Sequence, residues 1–126
     1  MTASTSQPAT RRFSKVRVMP VAGATFLFVS GVTAGIDAPY DTVRQTELVF
    51  GKIEALLRER EATLADVMKL TVFLADIREY EQYSAVRDRI FAETEVPPAS
   101  TAVEGRLGEP ALRIEIEAIA VIPSAR

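Results

Sequence analysis

The spacing of apolar residues divides the chain into strands and helices that follow one another in a regular order. Runs rich in β-branched and aromatic residues, several of them alternating with polar positions, predict strands. Turn residues separate these runs, and a turn near residues 21–24 joins the first two. The predicted strands cover residues 13–19, 25–30, 67–75, 100–105 and 112–122.

Two helices are predicted between these strands. Asp41 is placed to cap a helix that runs to about residue 60 and carries apolar residues on one side. A short turn with a capping-box pattern follows at residues 63–66. Asp76 or Arg78 opens a second helix over about residues 79–94, and Pro97 and Pro98 cannot continue it.

The resulting order is β-β-α-β-α-β-β. It predicts an α+β domain with two helices on one face of a mixed sheet. The chain of 126 residues is long enough for one domain, which we place at residues 13–126. Residues 1–12 are rich in Ser, Thr and Ala without apolar periodicity, so we expect a disordered tail there.

Composition removes several classes of chemistry. The chain has no Cys and no His, which excludes thiolate catalysis and removes the commonest general base and metal ligand. Any catalysis must therefore rest on other side chains, on backbone amides or on bound water. The net charge of −2 lacks the basic surplus that nucleic-acid binders carry, so nucleic acid is not an expected partner.

Residues 18–36 carry no charge and follow Arg11 and Arg12, which raises the alternatives of an export signal or a membrane span. The stretch is interrupted by Pro20 and three glycines. Its continuous apolar core covers only Phe26–Val29. A buried hairpin explains this pattern better. We expect a cytoplasmic protein without a membrane partner.

The last predicted strand carries two carboxylates on one face. Glu115 and Glu117 alternate with Ile114, Ile116 and Ala118, so the acidic and apolar residues lie on opposite faces. Such a pair is either a solvated strand surface or part of a site. The residues alone leave both alternatives open.

Four segments resemble one known family. Residues 28–31 (FVSG) resemble its (I/F)xSG, and residues 67–76 (VMKLTVFLAD) resemble its (I/V)VKxTVFxxD. Residues 98–104 (PASTAVE) resemble PARSxVEV, and residues 114–121 (IEIEAIAV) resemble (I/V)EIEAIA. These segments are typical of the Rid family (reactive intermediate deaminase, also called YjgF or L-PSP). The resemblance extends over about residues 13–122.

The resemblance implies a chorismate-mutase-like fold, a homotrimer, and small-molecule ligands in clefts between subunits. It also implies hydrolysis of enamines or imines, such as 2-aminoacrylate, to a keto acid and ammonia without metal or cofactor. Glu115 lies where the family places the Glu that positions the water. Glu117 has the same parity, about 7 Å further along the strand, and we treat it as structural.

Ser100 is the main departure from the family pattern, because it lies at the position of the Arg that binds the substrate carboxylate. A hydroxyl brings no charge, and loss of a buried charged contact typically costs about 2–5 kcal/mol. Serine at position 100 therefore leaves three alternatives. The substrate is not a small 2-imino acid, another cation replaces the Arg, or deaminase activity is lost. Arg87, one turn beyond the pocket position Ser84, is the best replacement. Arg106 lies too far along its strand, and Arg113 is predicted to neutralise Glu115.

The resemblance places several further residues at the cleft. Ser30 and Gly31 match the loop that lines it, and Phe13 takes the place of a pocket Tyr. Ala102 would contribute only its backbone N–H and C=O groups to the cleft, and Val32 makes its end of the cleft apolar.

Two functions remain open. The first is an enamine or imine hydrolase that uses Glu115. The second is a non-catalytic trimeric protein that binds a small metabolite in the same cleft. The endoribonuclease activity attributed to some relatives is disfavoured, because the chain is acidic and lacks His.

Overall fold

The computed structural model of the protein describes residues 12–124. Five strands form one sheet, and two helices pack against it. The strands are β1 (Val16–Val21), β2 (Ala24–Thr33), β3 (Val67–Leu74), β4 (Ala99–Glu104) and β5 (Ile114–Pro123). The helices are α1 (Thr42–Arg58) and α2 (Tyr80–Ile90), and single 3₁₀ turns cover Leu64–Asp66 and Ile77–Glu79.

The sheet is mixed, as the sequence predicts. Its strand order is β1-β2-β5-β3-β4, and every neighbouring pair is antiparallel except β3 and β4, which are parallel. A parallel pair needs a crossover connection, and α2 supplies it. The predicted α+β class and the order β-β-α-β-α-β-β are confirmed.

Alternation along the strands decides which face the helices cover. In β2, Leu27 and Val29 are buried while Phe28 between them is exposed. The buried side packs on apolar side chains of both helices, and these include Phe50 and Ile53 of α1 and Val86 of α2. The other side, here called the open face, carries Phe28, Glu115, Glu117 and their cross-strand neighbours, and among residues 12–124 no helix covers it.

The first hairpin and the first helix follow the sequence prediction closely. Val21 pairs with Ala24 across a two-residue turn in which Gly23 has a φ of +85°. Asp41 caps α1 by accepting a hydrogen bond from the Arg44 N–H at 2.8 Å. The predicted capping box is present, because Thr63 and Asp66 satisfy each other's backbone N–H groups around the 3₁₀ turn.

Several boundaries differ from prediction. The first strand begins at Val16 and ends at Val21, where the sequence predicted residues 13–19. The second helix ends at Ile90 rather than near residue 94, because Phe91 turns into the core and meets the Phe50 ring edge-on at 5.7 Å. The second strand continues past Ser30 to Thr33 through an irregularity between Val29 and Val32. Pairing with β5 resumes there, so the glycine at position 31 interrupts the strand without ending it.

One buried polar side chain joins α1 to two loops. Gln45 is fully buried, and its amide donates to the carbonyls of Pro39 and Ala111 at 2.9 and 3.0 Å. Its oxygen accepts from the Arg113 N–H at 2.8 Å. These contacts fix the loop that leads directly into β5 and therefore the start of the strand that carries Glu115.

The uncharged stretch at residues 18–36 lies in the β1–β2 hairpin and the loop after it, as predicted. The expected burial of this hairpin is wrong for β1, which is the edge strand of the sheet and exposes Val18, Met19 and Val21. No helix within residues 12–124 is long and apolar enough to cross a membrane. The predicted tail over residues 1–12 lies, apart from Arg12, outside the described residues.

Candidate active site

Glu115 lies on the open face near the centre of the sheet. It is half-buried and pairs in register with Thr33 of β2 and Phe73 of β3. Its carboxylate lies against the backbone of Gly31. A Cβ at position 31 would overlap the Glu115 Oε2 and would lie 3.0 Å from its Cδ, so the absence of a side chain there gives the carboxylate its space.

The Glu115 carboxylate has no hydrogen bond or ion pair with any residue of the described chain. Glu117 is two residues further along the same face and is exposed. The sequence predicted that Arg113 neutralises Glu115, and the structure shows this to be wrong. Arg113 donates instead to Glu79 at 3.0 Å and to the Tyr40 hydroxyl at 2.9 Å, because it precedes β5 and lies beside the loop before α1 and the 3₁₀ turn before α2.

Ser30 anchors the segment that precedes β1. Its hydroxyl donates to the Ser14 carbonyl at 2.6 Å, and its N–H donates to the Lys15 carbonyl at 2.9 Å. These bonds hold residues 13–15 beside the irregular part of β2. Ser30, Gly31 and Phe13, which the sequence assigned to one pocket, do line one cavity of about 430 Å³.

This first cavity has an apolar wall and two lysines. Val32, Ala55 and Leu56 supply apolar surface, which agrees with the expectation that Val32 makes this end less polar. Lys15 and Lys52 also line the cavity, and Lys52 Nζ donates to the Thr33 carbonyl at 2.9 Å. Sequence reasoning missed both lysines, since only the packing of α1 against β2 brings Lys52 here. Glu115 lies behind Gly31 and does not line this cavity.

Arg87 and Ser100 meet in a second cavity of about 410 Å³ between α2 and β4. Ser100 pairs in register with the buried Leu70, so its side chain lies on the helix side of the sheet. Arg87 Nε and Nη2 donate to Asp88 Oδ1 at 3.0 and 2.9 Å, and Nη1 donates to the Tyr80 hydroxyl at 3.1 Å. Burial lowers the pKa of Arg87, but these bonds outweigh it, so the group stays charged.

A buried tyrosine lies behind this second cavity. Tyr83 is fully buried, and the Arg87 guanidinium lies 5.4 Å from the centre of its ring. Burial raises the pKa of the Tyr83 phenol, and the nearby Ser100 hydroxyl and Arg87 act in the opposite direction. Neither group meets the phenol oxygen in hydrogen-bonding geometry, and within the described chain that oxygen has no other partner.

The remaining predicted site residues contribute less. Ser84 is half-buried on α2 and lines neither cavity, and Ala102 packs against the core beside Val72. Arg106 is exposed in the loop after β4. Within residues 12–124, no group of three or more acidic side chains is arranged to hold a metal ion.

The predicted residues therefore form two separate groups in one chain. Glu115 on β5 and Ser100 on β4 are two strands and three residues apart, which corresponds to roughly 14 Å between their Cα atoms. Their side chains also lie on opposite faces of the sheet. A molecule of a few heavy atoms cannot contact both groups within one subunit.

Comparison with known proteins places the chain in a family. The sequence profile of the endoribonuclease L-PSP family matches residues 4–122. A RutC family protein of Pyrococcus abyssi is 39% identical over 101 residues, which cover 75% of this chain and 77% of that protein. A RutC family protein of Haemophilus influenzae is 33% identical over 87 residues, which cover 68% of this chain and 67% of that protein.

Solved structures agree with this placement. A YjgF-family protein of Neisseria meningitidis superimposes with a TM-score of 0.78 at 29% identity, covering 91% of each chain. The Escherichia coli protein TdcF, solved with bound serine, gives a TM-score of 0.72 at 25% identity, covering 88% of this chain and 90% of that one. The fold and sequence thus define an α+β protein of the YjgF type. The chain belongs to the Rid family, which is also called the YjgF or L-PSP family.

Proposed function

We propose that this protein hydrolyses an enamine or imine to a carbonyl compound and ammonia, with Glu115 positioning the water. The observation that carries this proposal is the half-buried Glu115 carboxylate, which has no partner among residues 12–124 and lies against Gly31. A carboxylate held without a neutralising cation can orient a water molecule and accept its proton.

The reaction needs only groups that this chain supplies. The substrate enters as the protonated imine, and Glu115 accepts a proton from water while the water oxygen adds to the imine carbon and the carbon–nitrogen double bond becomes a single bond. The Glu115 carboxyl group then passes this proton to the amine nitrogen. The carbon–nitrogen bond breaks with its electron pair leaving on ammonia, while the hydroxyl group forms the carbonyl and releases its proton to solvent water. The products are a carbonyl compound and ammonia, and the carboxylate is regenerated.

Ser100 supports a substrate other than the small 2-imino acids. The resemblance places a carboxylate-binding Arg at this position, and a serine supplies a hydroxyl without charge. TdcF was solved with bound serine, which supports a cleft for a small polar molecule in this fold. The missing cation at position 100 argues against strong binding of an acid group directly attached to the imine carbon.

The separation of the two residue groups supports a homotrimer with the cleft between subunits. The open face carries exposed apolar side chains, among them Met19, Phe28 and Val103, which are 51%, 42% and 43% exposed. A second subunit would cover this surface. Ser100 of that subunit would then lie across the cleft from Glu115 of the first. The family implies the same assembly.

The test compares two carboxylates on one strand. Ammonia release is measured for the full-length protein with 2-aminoacrylate and with bulkier imines. We expect turnover of a bulkier imine, a loss of about 100-fold or more in Glu115→Gln, and little change in Glu117→Gln. The proposal fails if no imine is hydrolysed faster by the wild type than by Glu115→Gln.

A second candidate is a trimeric binding protein without catalytic activity. The largely apolar lining of the cavity beside Gly31, with Val32, Ala55 and Leu56, favours it. Metabolites that raise the melting temperature without being converted would support this function. Loss of a measured turnover in Glu115→Gln would eliminate it.

Cleavage of RNA, which the family description names, receives no support from this chain. The net charge is −2, and no His is present to act as acid or base. RNA cleavage that persists through purification and disappears in Glu115→Gln would contradict this conclusion.

A further inference from the structure

Two of the three lysines in the chain line the first cavity, the one of about 430 Å³ beside Gly31. The chain has 17 acidic residues and a net charge of −2, yet none of the described residues that line this cavity is an Asp or a Glu. Two cations in a wall without acidic side chains create a local positive potential, which attracts anions. The family resemblance assigns neither Lys15 nor Lys52 to a site.

The two lysines are held on different walls of the cavity. Lys52 lies on α1, and its Nζ donates to the Thr33 carbonyl at 2.9 Å, which leaves two of its three N–H groups for a ligand. Lys15 lies in the segment before β1, which two hydrogen bonds from Ser30 fix against β2. The Lys15 side chain has no hydrogen bond or ion pair within residues 12–124, so all three of its N–H groups are available.

The rest of the cavity wall is largely apolar. Phe13, Val32, Ala55 and Leu56 supply side chains without polar atoms. A cavity of this volume, with a few polar groups on an apolar wall, has the size and character of a small-molecule site. A ligand that matches it carries an anionic group for the lysines and an apolar group for this wall.

The number of positive charges decides which anion fits best. Two lysines supply two positive charges, so a carboxylate would leave one of them uncompensated. A phosphate monoester carries about −1.5 to −2 charges at neutral pH and presents three acceptor oxygens. The ammonium group of lysine binds phosphate as a point charge, from whichever direction its side chain reaches it.

We propose that the first cavity binds a soluble phosphate monoester that carries a small apolar group. Lys15 and Lys52 bind the phosphate, and Val32 and Leu56 contact the apolar group. Glu115 does not line this cavity, so the site is separate from the proposed catalytic carboxylate. The inference therefore does not rest on the proposed hydrolysis.

The experiment measures binding of phenyl phosphate to the full-length protein by calorimetry. We expect Lys52→Met and Lys15→Met each to weaken binding roughly 10-fold, because each removes a charged donor. Lys69→Met is the matched control. Lys69 also donates to a neutral oxygen, the Thr101 hydroxyl at 2.8 Å, but it lies on the open face, so its loss should leave binding unchanged.

Ala55 offers charge variants that leave both lysines in place. It is exposed on α1 and lines the cavity, so a longer side chain there does not disturb the core. Ala55→Glu should weaken phenyl phosphate binding roughly 10-fold or more, since it repels the phosphate and can pair with Lys52 one turn earlier. Ala55→Lys should tighten binding several-fold. Thermal melting checks that both variants are folded, and effects of the same sign would overturn the proposal.

Further ligands identify what the cavity recognises. Inorganic phosphate lacks the apolar group and benzoate carries a single charge, so each should bind at least about 10-fold more weakly than phenyl phosphate. Binding of phenyl phosphate should weaken between about pH 7.5 and about pH 5, because the ester takes up a second proton near roughly pH 6. Vesicles that contain phosphatidate should not bind the protein.

Several results would overturn the proposal. These are an unchanged affinity in Lys52→Met, equal binding of benzoate or of inorganic phosphate, and binding to phosphatidate vesicles in place of phenyl phosphate. The outcome is separable from that of the proposed function, since Glu115→Gln should abolish imine hydrolysis and retain phenyl phosphate binding. If phenyl phosphate does not bind while Glu115-dependent hydrolysis is present, only the inference on the lysines fails.

Discussion

Gly31 determines the position of the Glu115 carboxylate. A side chain at position 31 would occupy the place of the Glu115 carboxylate. The backbone at Gly31 does not adopt a positive φ, so its role is to leave space and not to permit an unusual conformation. Sequence reasoning assigned Gly31 to the loop that lines the cleft, and the structure shows that the Glu115 side chain uses the space beside it.

We expect Gly31→Ala to reduce imine hydrolysis by about 10- to 100-fold, because displacement of a positioning group by an ångström has effects of this size. Stability should fall by less than about 1 kcal/mol, since the atoms in conflict are the mobile end of Glu115. Ammonia release and thermal melting measure the two effects. Unchanged hydrolysis would contradict the assigned role.

Gly51 offers a matched control within α1. A Cβ at this position meets no atom within 4 Å, and the residue is exposed in the helix interior. Gly51→Ala should therefore stabilise the protein by about 0.5–1 kcal/mol through helix propensity, with hydrolysis unchanged. A change in hydrolysis here would show that activity responds to any added methyl group.

At the scale of elements, Gln45 connects α1 with the loops before α1 and before β5. Its three hydrogen bonds satisfy two carbonyls and one N–H that would otherwise be unpaired. The loop after β4 lacks regular structure, so these bonds set the point at which β5 begins. The position of Glu115 two residues later depends on them.

Gln45→Leu should destabilise the protein by roughly 2–4 kcal/mol, because it leaves buried backbone groups without partners. Denaturant unfolding of the purified variant measures this loss. Gln82→Leu on the exposed side of α2 serves as the control and should change stability by no more than about 0.5 kcal/mol. Equal effects of the two substitutions would contradict a structural role for Gln45.

At the scale of the molecule, the open face is the surface that a neighbouring subunit would cover in the proposed trimer. Phe26 and Phe28 stack there with ring centres 6.2 Å apart, and Met19 and Val103 add exposed apolar surface. The residues of the candidate cleft lie on both faces of the sheet. The proposed activity therefore requires the proposed trimer.

We expect light scattering to show a trimer for the wild type and smaller species for Phe28→Asp, because a buried unpaired charge would oppose association. The variant should retain its circular dichroism spectrum and lose hydrolysis. Ala85→Asp, an acidic substitution at an exposed position of α2, should remain trimeric. A wild-type monomer at micromolar concentration would contradict the proposed assembly.

The sequence by itself determined the order of elements and the two faces of the strand that carries Glu115. Strand alternation placed Glu115 and Glu117 opposite the core residues Ile114 and Ile116, and capping residues located the start of α1. These features are local, so periodicity and cap chemistry are enough to predict them. The end of α2 was less predictable, because it depends on where Phe91 packs.

Only the tertiary structure decided which distant side chains meet. It brought Glu115 to Gly31 across β2 and β5, paired Arg113 with Glu79, and placed Arg87 and Ser100 beside an unpaired Tyr83 hydroxyl. No sequence spacing predicts these contacts, because they depend on strand register, on an irregularity in β2, and on how each helix packs against the sheet. The physical reason is that charges and buried polar atoms act over a few ångströms of space, whatever their separation along the chain.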